Sequence, residues 1–179
     1  MNITFSEGTS TLNGNNFTSG SVINKIGSYE LIVTNSLGTQ TVNFSVVDTS
    51  FPVVSDVSNG GIYNSKSGKK AVYFDKGTAT VNGISFLSGS SIGATGNYKL
   101  IVSSSNVTTV DFTYIKYGDV TGDGAVDITD LALLKKHLLK SSELSGPFMQ
   151  AGDVFSKGYI SISDLIAIKK HLLQISMIQ

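Results

Sequence analysis

A multi-domain chain, all-β over its first two thirds and all-α in its last third, is predicted by three features of the sequence. A gapless repeat of strand-like segments occupies residues 3–33 and again 72–102. A second, unrelated repeat starts at Asp119 and again at Asp153, and carries helical periodicity. The composition, 40% hydrophobic over 179 residues, fills two or three small cores and contains no cysteine, which excludes disulfides and thiolate metal sites.

The first repeat has a constant offset of 69. Phe5/Phe74, Gly8/Gly77, Asn13-Gly14/Asn82-Gly83, Phe17/Phe86, Ser19-Gly20-Ser21/Ser88-Gly89-Ser90, Gly27/Gly96, Tyr29/Tyr98 and Leu31-Ile32-Val33/Leu100-Ile101-Val102 all match. After a one-residue slip, Thr41-Val42-Asn43-Phe44 matches Thr109-Val110-Asp111-Phe112. Asn-Gly between alternating runs predicts a tight two-residue hairpin in each copy. The β-branched run through Leu31-Ile32-Val33, the turn at Leu37-Gly38 and Thr41–Phe44 predict a second hairpin. A lead-in from Pro52-Val53-Val54 to Gly61-Ile62-Tyr63 supplies an extra first strand to the second copy and has no counterpart in the first. On these residues the repeat resembles the small Ig-like β-sandwich modules found in tandem on bacterial extracellular proteins. That resemblance implies a truncated Ig-like module over 1–48, or one completed by its neighbour, and a full Ig-like sandwich over 49–116.

The second repeat has an offset of 34. Asp119–Leu139 reads DVTGDGAVDITDLALLKKHLL and Asp153–Leu173 reads DVFSKGYISISDLIAIKKHLL. In each, a twelve-residue loop ending in Asp runs into a helix whose apolar stripe is Leu131, Leu134, Leu138 or Leu165, Ile168, Leu172. Between them, Gly146-Pro147 suits the first turn of a short helix. An EF-hand-type loop needs oxygen donors at positions 1, 3, 5, 7, 9 and 12 and Gly at position 6. The first loop offers Asp119, Thr121, Asp123, the Ala125 carbonyl, Asp127 and Asp130, with Gly124 at position 6 and apolar Val126 at position 8. Four carboxylates so close repel one another strongly. A hard cation taking six to eight oxygens resolves that repulsion, and Ca2+ suits it better than the smaller octahedral Mg2+. The second loop keeps Asp153, Gly158, the Tyr159 carbonyl, Ser161 and Asp164, but has Phe155 at position 3 and Lys157 at position 5. One Ca2+ site is therefore expected in the first loop, while the second is degenerate, with Lys157 as internal counter-ion to Asp153 and Asp164.

Loop–helix units ending in Asp, duplicated, with Lys-Lys in each helix and no helix ahead of the loop, resemble dockerin modules. The resemblance covers residues 118–173 within an expected domain at 117–179, and implies an all-α fold of two F-hand calcium-binding repeats. It implies as partner a cohesin module of a scaffold or cell-surface anchoring protein, in cellulosome-type assemblies for polysaccharide degradation outside a bacterial cell. It also implies a docking face at loop positions 10 and 11 and on the outer face of the following helix. Those positions are Ile128, Thr129, Lys135, Lys136 and Lys140 in the first unit and Ile162, Ser163, Lys169, Lys170 and Gln174 in the second. The β modules then resemble X-modules, spacers or stabilisers of a dockerin.

Other functions are excluded on inventory. Thirteen basic and thirteen acidic residues divide evenly, six of each before residue 116 and seven of each from there on, so no basic segment suggests nucleic acid. No run approaches the ~18 apolar residues of a membrane span, so membrane insertion is not expected. No catalytic residues are assigned, because Glu7, Glu30, Asp48, Asp56, Asp75 and Asp111 suggest no acid–base pair, and His137 and His171 read as rim residues of the helices. Met1 is followed by strand-like Asn2–Phe5, so the chain reads as an internal or C-terminal piece of something longer. Carbohydrate binding by the β modules, on a calcium-stabilised structural stalk, is the alternative, and the absence of Trp counts against it. Finally, the last strand, Val110–Tyr114, is followed by only Ile115-Lys116-Tyr117-Gly118 before the first calcium ligand, and Tyr114, Ile115 and Tyr117 are expected to pack between the second β module and the helices as one rigid body.

Overall fold

The computed structural model describes residues 1–64 and 68–178. The chain divides into two compact units, Met1–Ser50 and Phe51–Gln179.

The first unit contains β1 (Thr9–Leu12), β2 (Asn15–Phe17), β3 (Gly27–Asn35) and β4 (Gly38–Val46) in one antiparallel sheet of order β2-β1-β3-β4. Asn13 and Gly14 both have positive φ, 48° and 79°, as the tight Asn-Gly hairpin requires. The Asn13 side chain then staples the hairpin to β3, accepting from Glu30 N at 2.7 Å and donating to Ser28 O at 3.3 Å. Ile23 and Leu31 are its buried apolar side chains, and Tyr29 stacks on Phe44 at 5.5 Å. Beside this sheet, Asn2 and Val22 form an isolated antiparallel bridge, the counterpart of the Ala71↔Ser91 pair in the second copy.

The second unit opens with β5 (Val54–Ser55), β6 (Gly61–Asn64), β7 (Lys70–Ala71), β8 (Tyr73–Phe74), β9 (Thr78–Val81), β10 (Ile84–Phe86), β11 (Ser91–Ile92), β12 (Gly96–Ser103) and β13 (Val107–Ile115). Its main sheet has the order β10-β9-β12-β13-β6, with β6 parallel to β13 and the other pairs antiparallel. The lead-in thus supplies an edge strand. Facing the sheet are two short ribbons, β11–β7 and β5–β8, in place of the full second sheet of the expected sandwich. Each of the four ribbon strands is only two residues long. The core between the layers joins Val57, Val72 and Ile92 to Leu100, Val102, Val110, Phe112 and Tyr114. Alternate residues of β12 and β13 supply the sheet's share. Phe86 and Tyr98 pack against the same core, so these repeated aromatics form no exposed platform.

The helices are α1 (Ile128–Leu138), α2 (Gly146–Gly152, with Pro147 in its first turn) and α3 (Ile162–Leu172). The expected stripes meet in one core, where Leu134 and Ile168 are fully buried and Leu131, Leu138, Leu165 and Leu172 surround them. Both long helices begin at loop position 10, earlier than the end of the loop where they were expected. The cause is reciprocal capping: Asp127 with Asp130, and Ser161 with Asp164, exchange side-chain and backbone bonds. Both end alike, with Lys140 and Gln174 at φ 57° and bonds from Ser141 N to Lys136 O and from Ile175 N to Lys170 O.

The β and helical layers both belong to the unit Phe51–Gln179. Strand β13 runs to Ile115, and strand alternation sends its last two side chains opposite ways. Tyr114, fully buried, joins the β core, while Ile115 joins the helical core. Tyr117 is half-buried and packs against the helical core. The Tyr117 hydroxyl lies 3.4 Å from Asn64 Nδ2 and 3.3 Å from Ser156 Oγ.

Candidate functional site

The first loop folds around two buried carboxylates. Asp119 accepts at Oδ1 from Gly122 N at 2.8 Å, and at Oδ2 from Gly124 N at 3.2 Å and Thr95 N at 2.8 Å. Asp130 accepts at Oδ1 from the backbone N–H and hydroxyl of Thr121, both at 2.9 Å, and at Oδ2 from Asp127 N at 2.8 Å. Both are 0% exposed, and among the described residues neither pairs with a lysine or histidine. The two outer carboxylates face local donors: Asp123 accepts from Ala125 N, and Asp127 from the N–H and hydroxyl of Thr129. The Thr129 bonds hold the Asp127 carboxyl below the usual carboxylate range.

Sequence reasoning expected Asp119, Asp123, Asp127 and Asp130 to converge. Among the described residues, no three acidic or histidine side chains gather closely enough to hold a metal ion between them. Each of the four carboxylates accepts at least one backbone N–H bond. The residues nevertheless fit Ca2+ by donor chemistry. All are hard oxygens, two are fully buried anions, and Gly124 at position 6 has the φ of +86° that the sharp turn demands. Thr121 and the carbonyl of Ala125 complete the donor set.

The second loop keeps the backbone path but not the donors. Ser156 and Gly158, with φ of 53° and 85°, repeat the turns at Gly122 and Gly124, 77° and 86°. Lys157 Nζ donates to Ser161 Oγ at 2.5 Å, Ser163 Oγ at 2.7 Å and Asp164 Oδ2 at 2.9 Å. It also lies 5.4 Å from the Phe155 ring centre and 5.2 Å from that of Tyr159. Burial, the largest single influence on Asp164, favours its neutral form, yet the bonds from Lys157 and Ser161 outweigh it and hold the carboxyl below its ordinary value. Asp153 is not the second partner of Lys157 that the sequence suggested. Its Oδ2 accepts from Gly158 N, while three acceptors gathered at the start of α3 draw the ammonium to that side.

All ten residues carried over as the docking face are exposed. Ile128 and Ile162 match closely, at 67% and 68%, which leaves two large aliphatic side chains in water at equivalent places. His137 is more than a rim residue: half-buried, it accepts from Leu144 N through Nδ1 at 3.1 Å and fastens the turn after α1. Sequence reasoning missed Thr95, a buried β-layer residue on the first loop. The signal lay in the repeat, for the position equivalent to Thr95 is Ile26, which is 61% exposed.

Residues 117–173 match the model of the family described as dockerin type I domain, so the chain carries a dockerin module there. No curated protein matches the chain.

Proposed function

We propose, from the premise of a dockerin module at 117–173, that the chain is a non-catalytic, calcium-dependent anchoring piece that docks a larger secreted protein onto a cohesin. A dockerin of this type is a cohesin-docking, calcium-binding module. The observation that carries the rest is the duplicated exposed set, Ile128, Thr129, Lys135, Lys136 and Lys140 against Ile162, Ser163, Lys169, Lys170 and Gln174. Paired aliphatic anchors ringed by lysines are the composition of a protein interface with a small apolar centre and a charged rim. An extracellular setting accords with the family, and no helix among the described residues is long and apolar enough to cross a membrane.

Calcium enters at the first loop alone. Asp119, Thr121, Asp123, Ala125, Asp127 and Asp130 would hold it, and the ion would neutralise the four carboxylates and fix the start of α1 and thereby Ile128 and Thr129. In the second loop the Lys157 ammonium already supplies the positive charge, so α3 is held without a metal. The β modules serve as spacer and stabiliser.

The test is binding to a panel of cohesins with calcium and with a chelator, followed by mutation. Binding should require calcium. Changing Ile128, Lys135 and Lys136 alone, or Ile162, Lys169 and Lys170 alone, should leave substantial affinity, because either face can dock in orientations related by a half-turn. The combined variant should fail. Loss of binding from the first set alone would reduce the second unit to a passive support.

A further inference from the structure

The β layer reaches into the first loop, and the two copies of the β repeat show that this reach is specific to one of them. In both copies a tyrosine hydroxyl donates to the carbonyl four residues before it, Tyr29 to Lys25 O at 2.8 Å and Tyr98 to Ala94 O at 2.6 Å. That bond shapes the same turn twice. The turn's residues differ: Asn24-Lys25-Ile26 in the first copy, Gly93-Ala94-Thr95 in the second. In the second copy the turn is small and lies against the loop. A Cβ placed on Gly122 would come within 2.9 Å of Thr95 O, and one on Gly124 within 3.4 Å of Ala94 Cβ. Thr95 is 3% exposed. Its N–H donates to Asp119 Oδ2 at 2.8 Å, and its hydroxyl donates to Lys116 O at 3.2 Å and accepts from Lys116 N at 3.0 Å. Lys116 in turn donates through Nζ to Gly124 O.

We propose that Gly93-Ala94-Thr95 is a built-in extension of the first loop, with Thr95 a positioning residue that sets the loop's affinity for Ca2+. This rests on the reading of that loop given above. A carboxylate has about four acceptor positions. Thr95 N, Gly124 N and Gly122 N take three on Asp119, two at Oδ2 and one at Oδ1, which leaves one at Oδ1. Fixing the carboxylate from three sides removes its freedom before any cation arrives, and preorganised ligands bind more tightly. The coupling is reciprocal, so a cation in the loop must also stabilise the β layer.

Calcium titration of the full chain by calorimetry tests this. Replacing Gly93, Ala94 and Thr95 with Asn, Lys and Ile installs the turn that the first copy already tolerates. Calcium affinity should fall about tenfold, the equivalent of about 1.4 kcal/mol. Thr95→Val, which loses the hydroxyl hold on Lys116, should weaken it about threefold, a smaller share of one hydrogen bond, and Thr95→Ser should restore it. The calcium-saturated circular dichroism spectrum should be the same in all. An unchanged affinity in the triple variant, with its spectrum intact, would overturn this proposal alone. No calcium binding by the parent chain would overturn the proposed function and this proposal with it. A triple variant that loses its β signal would transfer the decision to Thr95→Val and Thr95→Ser, and equal affinities in those two would count against the proposal.

Discussion

Replacing Lys157 with Met should destabilise residues 51–179 without regard to calcium. The substitution keeps most of the side-chain length and removes only the ammonium. Among the described residues, Asp164, 0% exposed, then loses its cationic partner at 2.9 Å and keeps the N–H and hydroxyl of Ser161, while Oδ1 has no bond. A hydrogen bond to a charged group contributes roughly 1.5–3 kcal/mol, and a cation over an exposed ring about 0.5–1 kcal/mol. Lys157 is 27% exposed, so solvent screens part of this, and a net loss of about 3 kcal/mol follows. For a unit of this size that lowers the melting temperature by about 10 °C. The assay is thermal unfolding in excess calcium and again in chelator, with the same decrement expected in both. A shift below about 1 °C in chelator would refute the counter-ion account, and a decrement that vanishes in calcium would mean that the second loop binds the metal after all.

Three further outcomes follow from the geometry. Tyr114 is fully buried and its hydroxyl has no hydrogen-bond partner among the described residues, so Tyr114→Phe should stabilise the unit by about 1 kcal/mol in denaturant titration. Chelation should lower the parent's stability by about 2.7 kcal/mol relative to a hundredfold excess of calcium over its dissociation constant, and Asp123→Ala should abolish that difference. Because the folded-state pKa of Asp164 is depressed, its contribution is complete above the unfolded value of about 3.9 and is lost as pH falls through the lower folded value. Asp164→Asn should therefore flatten the acid limb of the stability curve below about pH 4.

Local chemistry carried most of what the sequence foretold. Asn13-Gly14 and Asn82-Gly83 each dictate one turn geometry, and the Leu134 and Ile168 stripes dictate which helix faces meet. The docking-face positions, Ile128 and Ile162 among them, came from the family resemblance, and the repeat showed only that the two faces match. What escaped was set by distant neighbours. How the layer opposite the main sheet is built depends on pairings between segments distant in sequence, β5 with β8 and β7 with β11. The side that Lys157 chooses depends on Ser163, which no loop-position rule includes. Tyr114 and Ile115 were expected to share one interface, yet one residue of strand alternation sends them into different cores.

The likeness of the two β repeats has a consequence for how the chain reaches its fold. Strand β3 pairs with β4 through Leu31↔Val42 and Tyr29↔Phe44, and β12 pairs with β13 through Leu100↔Val110 and Tyr98↔Phe112. The aromatic stacks are interchangeable, at 5.5 and 5.6 Å. A collapsing chain can therefore join β3 to β13 and gain much of the same ladder, a hybrid of the kind to which tandem repeats are prone. Only the native pairing lets Ile115 enter the helical core and Thr95 reach Asp119, because both depend on β12 and β13 lying side by side. The helical module therefore adds its contacts to the native pairing alone. Refolding from denaturant should show a slow phase from strand-exchanged molecules, and dilution alone should not remove it, since both partners sit on the same chain.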